Sequence, residues 1–263
     1  MTPDQRARAL VPIIAFVPIL AILATMTFST FAWAGDFHVN PVSLLLPAGA
    51  SSTMLSVEND GDDAVRFQVS VFTWDQTSTD EQVLVPTDIV IAFPTLFSVE
   101  PHKSRILRVG LKRPPGPNEE TYRLIVEQLD DVRKSKGAPG TMRVLTRLNL
   151  PLFTEVAKPK IAAALDNARL EHGKLSWDTH NTGNVHFIGR SVSLLGHDAS
   201  GGIIFHKEQK AWYVLRNHVH HNEVEIPNDL CRKASSIEVV LNADKLAAGV
   251  STTVTVTPAQ CSG

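Results

Sequence analysis

Val65-Arg66-Phe67-Gln68-Val69-Ser70-Val71 decides the fold. Apolar and polar residues alternate strictly, a period of two that suits a half-buried strand and no helix. The turn cluster Asn59-Asp60-Gly61-Asp62-Asp63 stands just before it, and Thr53, Leu55 and Val57 alternate on the far side of that turn. Downstream, Leu107, Val109 and Leu111 alternate with Ile106, Arg108 and Gly110, and Tyr122, Leu124 and Val126 with Arg123, Ile125 and Glu127. Phe72 and Trp74 fall on the other face and are expected to cover the end of a sandwich or a contact between domains.

Working outward, Phe37 to Leu46 reads as one run. Val83 to Val85, Ile89 to Phe93 and Thr95 to Val99 are shorter strands, and Met142 to Phe153 a long one. Short strands at this spacing imply a β-sandwich, and no stretch between them is long enough for a crossover helix. Ala157-Lys158-Pro159-Lys160 reads as a stiff linker. Ile161 to Asp166 leaves room for one turn of helix. Strand candidates then resume at Ala168 to Glu171, Lys174 to Thr179, Val185 to Leu195, Ile203 to Phe205, Trp212 to Leu215, His220 to Ile226, Ile237 to Leu241 and Thr252 to Val256. The expectation is an all-β chain of two immunoglobulin-like sandwiches, residues 35–156 and 161–263, joined by 157–160.

The first 34 residues have another character. Arg6 and Arg8 precede an apolar run from Leu10 to Phe28, and Ala32-Trp33-Ala34 is a small-x-small cleavage site. This is the pattern of a cleavable secretory signal peptide. The run is long enough to span a bilayer as a retained anchor, but Pro12, Pro18 and the cleavage site favour removal. With 25 Lys and Arg against 27 Asp and Glu, the net charge of −2 gives no reason to expect nucleic acid. In an exported chain the pair Cys231 and Cys261 reads as a disulfide closing a loop of about thirty residues, worth roughly 3–4 kcal/mol.

Thr95-Leu96-Phe97-Ser98-Val99-Glu100-Pro101-His102 through Arg105 to Val109, then Glu120-Thr121-Tyr122-Arg123-Leu124-Ile125-Val126-Glu127, then Thr146 to Phe153, occur in an order and spacing that resemble the periplasmic pilus chaperones, the PapD-like family. Asn181 to His186 and Ala211 to Leu215 are similar to its archaic, spore-coat-U-type branch. The resemblance implies a boomerang of two sandwiches. It also implies donor-strand complementation, in which the last strand of the first sandwich fills the open groove of a pilus subunit. An outer-membrane usher then receives the subunit. The lent face would be Met142, Val144, Thr146, Leu148 and Leu150, and the location the periplasm.

Better-known branches of that family anchor the subunit's carboxylate with a first-strand Arg and a last-strand Lys. Here Asn40 to Leu46 holds no basic residue, and Pro151 takes the place of the Lys. Arg147, Arg143, Arg105 and Arg108 remain as candidates, Arg147 first, because a guanidinium matches a carboxylate with two parallel bonds. Phe37, Val39, Val42, Leu44 and Leu46 would either edge a bound subunit or fill the core.

His218, His220 and His221 form a cluster whose sequence neighbours offer Glu223 and Glu225 but no ligand motif, so it reads as a surface cluster and no metal or cofactor is assigned. No catalytic motif for hydrolysis or phosphate binding occurs, so the chain is not read as an enzyme. Two rivals to the chaperone are a two-domain structural or adhesive surface protein and a metal-binding module.

Overall fold

Period-two runs become strands nearly everywhere they occur. The computed structural model describes residues 37–130, 144–246 and 249–261. The signal segment, Met142 and Arg143 lie outside them.

Ten strands build the first sandwich: β1 Phe37–Asn40, β2 Leu44–Leu46, β3 Ser52–Asn59, β4 Val65–Gln76, β5 Gln82–Pro86, β6 Val90–Phe93, β7 Leu96–Val99, β8 Ser104–Leu111, β9 Thr121–Leu129 and β10 Arg147–Thr154. One sheet runs β1-β3-β8-β6; the facing sheet runs β2-β10-β9-β4-β5, with β7 beside the start of β4. Leu55, Val57, Phe67, Leu107, Val109, Leu124, Val126 and Leu152 meet between them as the core. Each is an alternating residue of its strand, as a half-buried sheet requires.

The run Phe37 to Leu46, expected as one piece, is split. β1 pairs with β3 in one sheet, and β2 pairs in parallel with β10 in the other. Pro41, which lacks a backbone donor, stands in the crossing between them. Val39, Leu44 and Leu46 fill the core, Phe37 packs against it, and Val42 is exposed.

The second sandwich holds β11 Ala163–Glu171, β12 Lys174–Asn181, β13 Phe187–His197, β14 Ile203–Lys210, β15 Tyr213–Val214, β16 Val219–Glu225, β17 Ser236–Ala243 and β18 Val250–Thr255. The sheets run β11-β12-β16 and β14-β13-β17-β18, with β15 on β13. Ile161 to Asp166 is not a helical turn. Ala163 begins β11, which pairs with β12 on both sides of a bulge between Asp166 and Arg169. That bulge breaks the alternation from which the strand was read.

A four-residue helix, α1 Asn228–Cys231, and a 3-10 turn, Pro258–Cys261, are joined by the Cys231–Cys261 disulfide. Both are too short to show a helical period.

The link between the sandwiches is held rather than free. Lys160 N–H donates to Asn184 Oδ1 at 2.6 Å, and Asn184 Nδ2 donates to Lys158 O at 3.0 Å. A Cβ on Gly183 would stand 2.2 Å from Lys160 O, so only glycine lets the link pass so closely.

Candidate functional site

β10 is the strand on which the functional expectation rests. It runs antiparallel to β9 along its whole length, Arg147 opposite Glu127 and Phe153 opposite Thr121. Its other side is covered by β2 only from Leu152 to Thr154. From Arg147 to Pro151 that side is a free edge among the described residues.

Two bonds fix which groups face it. Gln128 N–H donates to Thr146 O at 2.9 Å, and Thr154 N–H donates to Glu120 O at 3.1 Å. In an antiparallel ladder such bonds recur at every second residue. Even-numbered residues of β10 therefore aim their N–H and C=O at β9, and odd-numbered ones aim theirs the opposite way. Glu155 N–H, donating to Leu46 O at 2.8 Å, obeys this alternation. Arg147 and Asn149 thus present backbone donors and acceptors to the open edge. Pro151 is odd as well, so its missing N–H costs the β9 ladder nothing.

The side chains divide along the strand. Val144 is 71 % and Leu145 49 % exposed, just ahead of β10. Thr146 and Leu148 are half-buried, and Leu148 packs on the chain's own core. Leu150, expected on the lent face, is 5 % exposed and belongs to that core with Leu152. The even-numbered face turns inward as β10 enters the sandwich, which leaves only its leading end free. Arg147 is exposed on the open strand.

Arg105 is not beside β10. It sits on β8, which pairs with β3 and β6 in the opposite sheet, and so does Arg108. The alternation that identified β8 carried no information about which sheet would take it.

Below the edge, the end of β10 meets the second sandwich. Trp74, Phe153 and Leu215 form a small buried cluster with Tyr213 and Leu84 against it. Of the two places expected for Phe72 and Trp74, the end of a sandwich or a contact between domains, Trp74 takes the second, and Phe72 is not part of this cluster. Gln76 clamps the junction: its Nε2 donates to Tyr213 O at 2.7 Å, and its Oε1 accepts Leu215 N–H at 2.9 Å. His186 stacks on Phe153 at 3.7 Å, while its backbone N–H donates to Glu119 Oε2 at 2.6 Å.

Arg123 was not singled out in the sequence, although it lies in a quoted motif. Its guanidinium lies 3.5 Å above the Trp74 ring, the residue is 3 % exposed, and Nε and Nη2 have no hydrogen-bond partner. Burial pushes its pKa down to about 10. Arg123 stands on the polar side of the Tyr122, Leu124, Val126 alternation and so reads as solvent-facing, because the Trp74 and Tyr213 rings that cover it lie in other stretches of the chain. Beside it, burial and the Glu120 carboxylate push the Tyr122 hydroxyl well above its ordinary range.

The histidine cluster is not a surface feature throughout. His218 is 8 % exposed, and Asp80, from the turn between β4 and β5, lies against His218 and His220. His221 turns away and meets Asp178.

Among the described residues no helix is long and apolar enough to cross a membrane. Residues 36–159 match the family model described as pili and flagellar-assembly chaperone, PapD N-terminal domain. No curated protein sequence matches the chain. Among solved structures, the chain is similar to the chaperone–tip adhesion subunit pre-assembly complex of archaic Csu pili from Acinetobacter baumannii. That match has a TM-score of 0.56 and 18 % identity, over 83 % of this chain and 98 % of the other. It is also similar to the class 5 fimbriae chaperone CfaA, at a TM-score of 0.56 and 14 % identity over 85 % and 100 % of the two chains. The E. coli chaperone DraB matches at 0.51 and 13 %, over 84 % and 96 %. By these matches the first sandwich belongs to the PapD N-terminal domain family of pili and flagellar-assembly chaperones, and the two sandwiches together have the fold of the chaperones just named.

Proposed function

We propose that the chain is a periplasmic chaperone that holds pilus subunits on the open edge of β10 and delivers them to an outer-membrane usher. The observation that carries this reading is the edge itself. Arg147 and Asn149 aim unpaired backbone groups outward, and exposed Val144 and Leu145 precede them on the same segment.

An unpaired edge with apolar side chains is an aggregation hazard unless another strand is meant to cover it. A subunit whose own sandwich lacks a strand has the complementary defect. Pairing satisfies both edges, and side chains at alternate positions enter its groove. Burying Val144, which shares the lent face with Thr146 and Leu148, would contribute about 1.5–3 kcal/mol before ordering costs. Arg147, exposed on this edge, would receive a carboxylate of the subunit through its two-pronged guanidinium.

The test is capture of a partner subunit encoded beside the chain, by co-purification from the periplasm. Val144→Asp is expected to fold as the wild type does and to lose capture, because a charge would have to enter an apolar groove. Leu148→Asp tests the neighbouring position, with a melting curve alongside because Leu148 also supports the core. Arg147→Glu is expected to weaken capture. Normal capture by Val144→Asp would remove β10 as the lent strand.

A further inference from the structure

We propose that Asp80, His218 and His220 form a binding site for a divalent transition-metal ion of the zinc type, built across the junction of the two sandwiches.

The three side chains come from distant parts of the chain. The turn after β4 is closed by Thr77 N–H donating to Glu81 O at 2.9 Å and Asp80 N–H donating to Thr77 O at 3.0 Å. Asp80 takes a left-handed backbone conformation there, φ 63°. This turn projects from the first sandwich onto β16 of the second, where His221 N–H donates to Ser78 O at 2.8 Å. Backbone bonds fix the histidines as well: His218 N–H donates to Leu215 O at 3.1 Å, and His218 O accepts from Asn181 N–H at 3.0 Å. His218 and His220 are separated by one residue, and both aim back at the turn.

The potential ligand atoms, one from each side chain, all lie within 4.8 Å of one another. His220 Nδ1 is 2.9 Å and His218 Nε2 is 3.6 Å from Asp80 Oδ1. Metal bonds of 2.0–2.1 Å in a tetrahedron set ligand atoms about 3.3 Å apart, between those two distances. All three atoms are shut off from solvent, and none has a hydrogen-bond partner. Within the cluster, the carboxylate and the two rings meet one another only as ion-pair contacts. Buried polar atoms are nearly always paired, and three that converge on one point ask for a common partner. A cation satisfies all three at once.

Two imidazoles and one carboxylate, with no thiolate, suit zinc, copper(II), nickel or cobalt better than calcium or magnesium. Asp80, His220, Thr179 and Asn222 line a cavity of about 230 Å³, which gives water room to complete the coordination. Lys210 also borders that cavity, so the Asp80 charge is needed for a cation to be favoured there. A bound ion would tie the β4–β5 turn to β16 and so stiffen the contact between the sandwiches.

The test uses the mature chain, free of any histidine tag and stripped with a chelator. Zinc chloride is titrated in calorimetrically, cobalt(II) absorption reports coordination, and melting is followed with and without zinc. One equivalent of zinc is expected, with the intense visible bands of four-coordinate cobalt and a raised melting temperature. Asp80→Asn and His220→Ala are each expected to weaken zinc by more than about tenfold while folding as the wild type does. No zinc binding by the wild type, leaving the three side chains paired only with one another, would overturn the site. So would equal binding by the variants, which would place the metal elsewhere, for instance at His221 and Asp178.

Discussion

Glu120 holds together the approach to the junction. It accepts from Arg113 Nη1 at 2.8 Å and Nη2 at 3.1 Å, from Tyr122 Oη at 2.6 Å and from Gly116 N–H at 2.9 Å. Burial pulls its pKa up, but Arg113, Tyr122 and the Gly116 amide outweigh that and hold it below the usual carboxylate range. A depressed carboxylate adds stability above its unfolded pKa and loses it as pH falls through the folded one. Glu120→Gln is therefore expected to cost about 1–3 kcal/mol at neutral pH. The variant's stability should also fall less steeply on acidification, as urea melts over a pH series would report. An equal acid slope in both proteins would place the acid-sensitive group elsewhere. In the sequence, Glu120 was visible as part of a motif. Its partner Arg113 was not, because the Pro114 to Pro117 break hides the return of the chain.

Strands were legible as elements because alternation is a local property. Val65 to Val71, Tyr122 to Val126 and Leu107 to Leu111 needed no partner to be recognised. Partner choice was not local. Arg105 looked like a neighbour of β10 until β8 paired into the opposite sheet, and Leu150 looked available until β10 turned into its own core. The disulfide was legible from export and an even cysteine count, while α1 and the 3-10 turn that it joins were not. Both cysteines are buried in the second core, Cys231 at 0 % and Cys261 at 3 % exposure. Replacing both by alanine is expected to lower stability by about 2–5 kcal/mol. The loss should be confined to melting of the second sandwich and leave subunit capture by β10 in place. Loss of capture by a folded double variant would mean that the second sandwich helps to shape the edge.

At the scale of the molecule, the two sandwiches are joined by meetings that no stretch of sequence contains. Trp74 finds Leu215, Arg123 is buried under a ring from its own sheet and bordered by Tyr213 of the other sandwich, and Asp80 finds two histidines far downstream. These contacts hold the second sandwich against the first, while among the described residues no strand other than β9 covers the leading end of β10. Hydrogen exchange at single amides of β10, in the free chain and in complex with a subunit, reads that arrangement directly. Without a subunit, the amides of Arg147 and Asn149 should exchange fast while those of Leu148 and Leu150, bonded to β9, exchange slowly; with a subunit, Arg147 and Asn149 should become protected. Slow exchange at Arg147 and Asn149 in the free chain, or no change on binding, would contradict the lent strand.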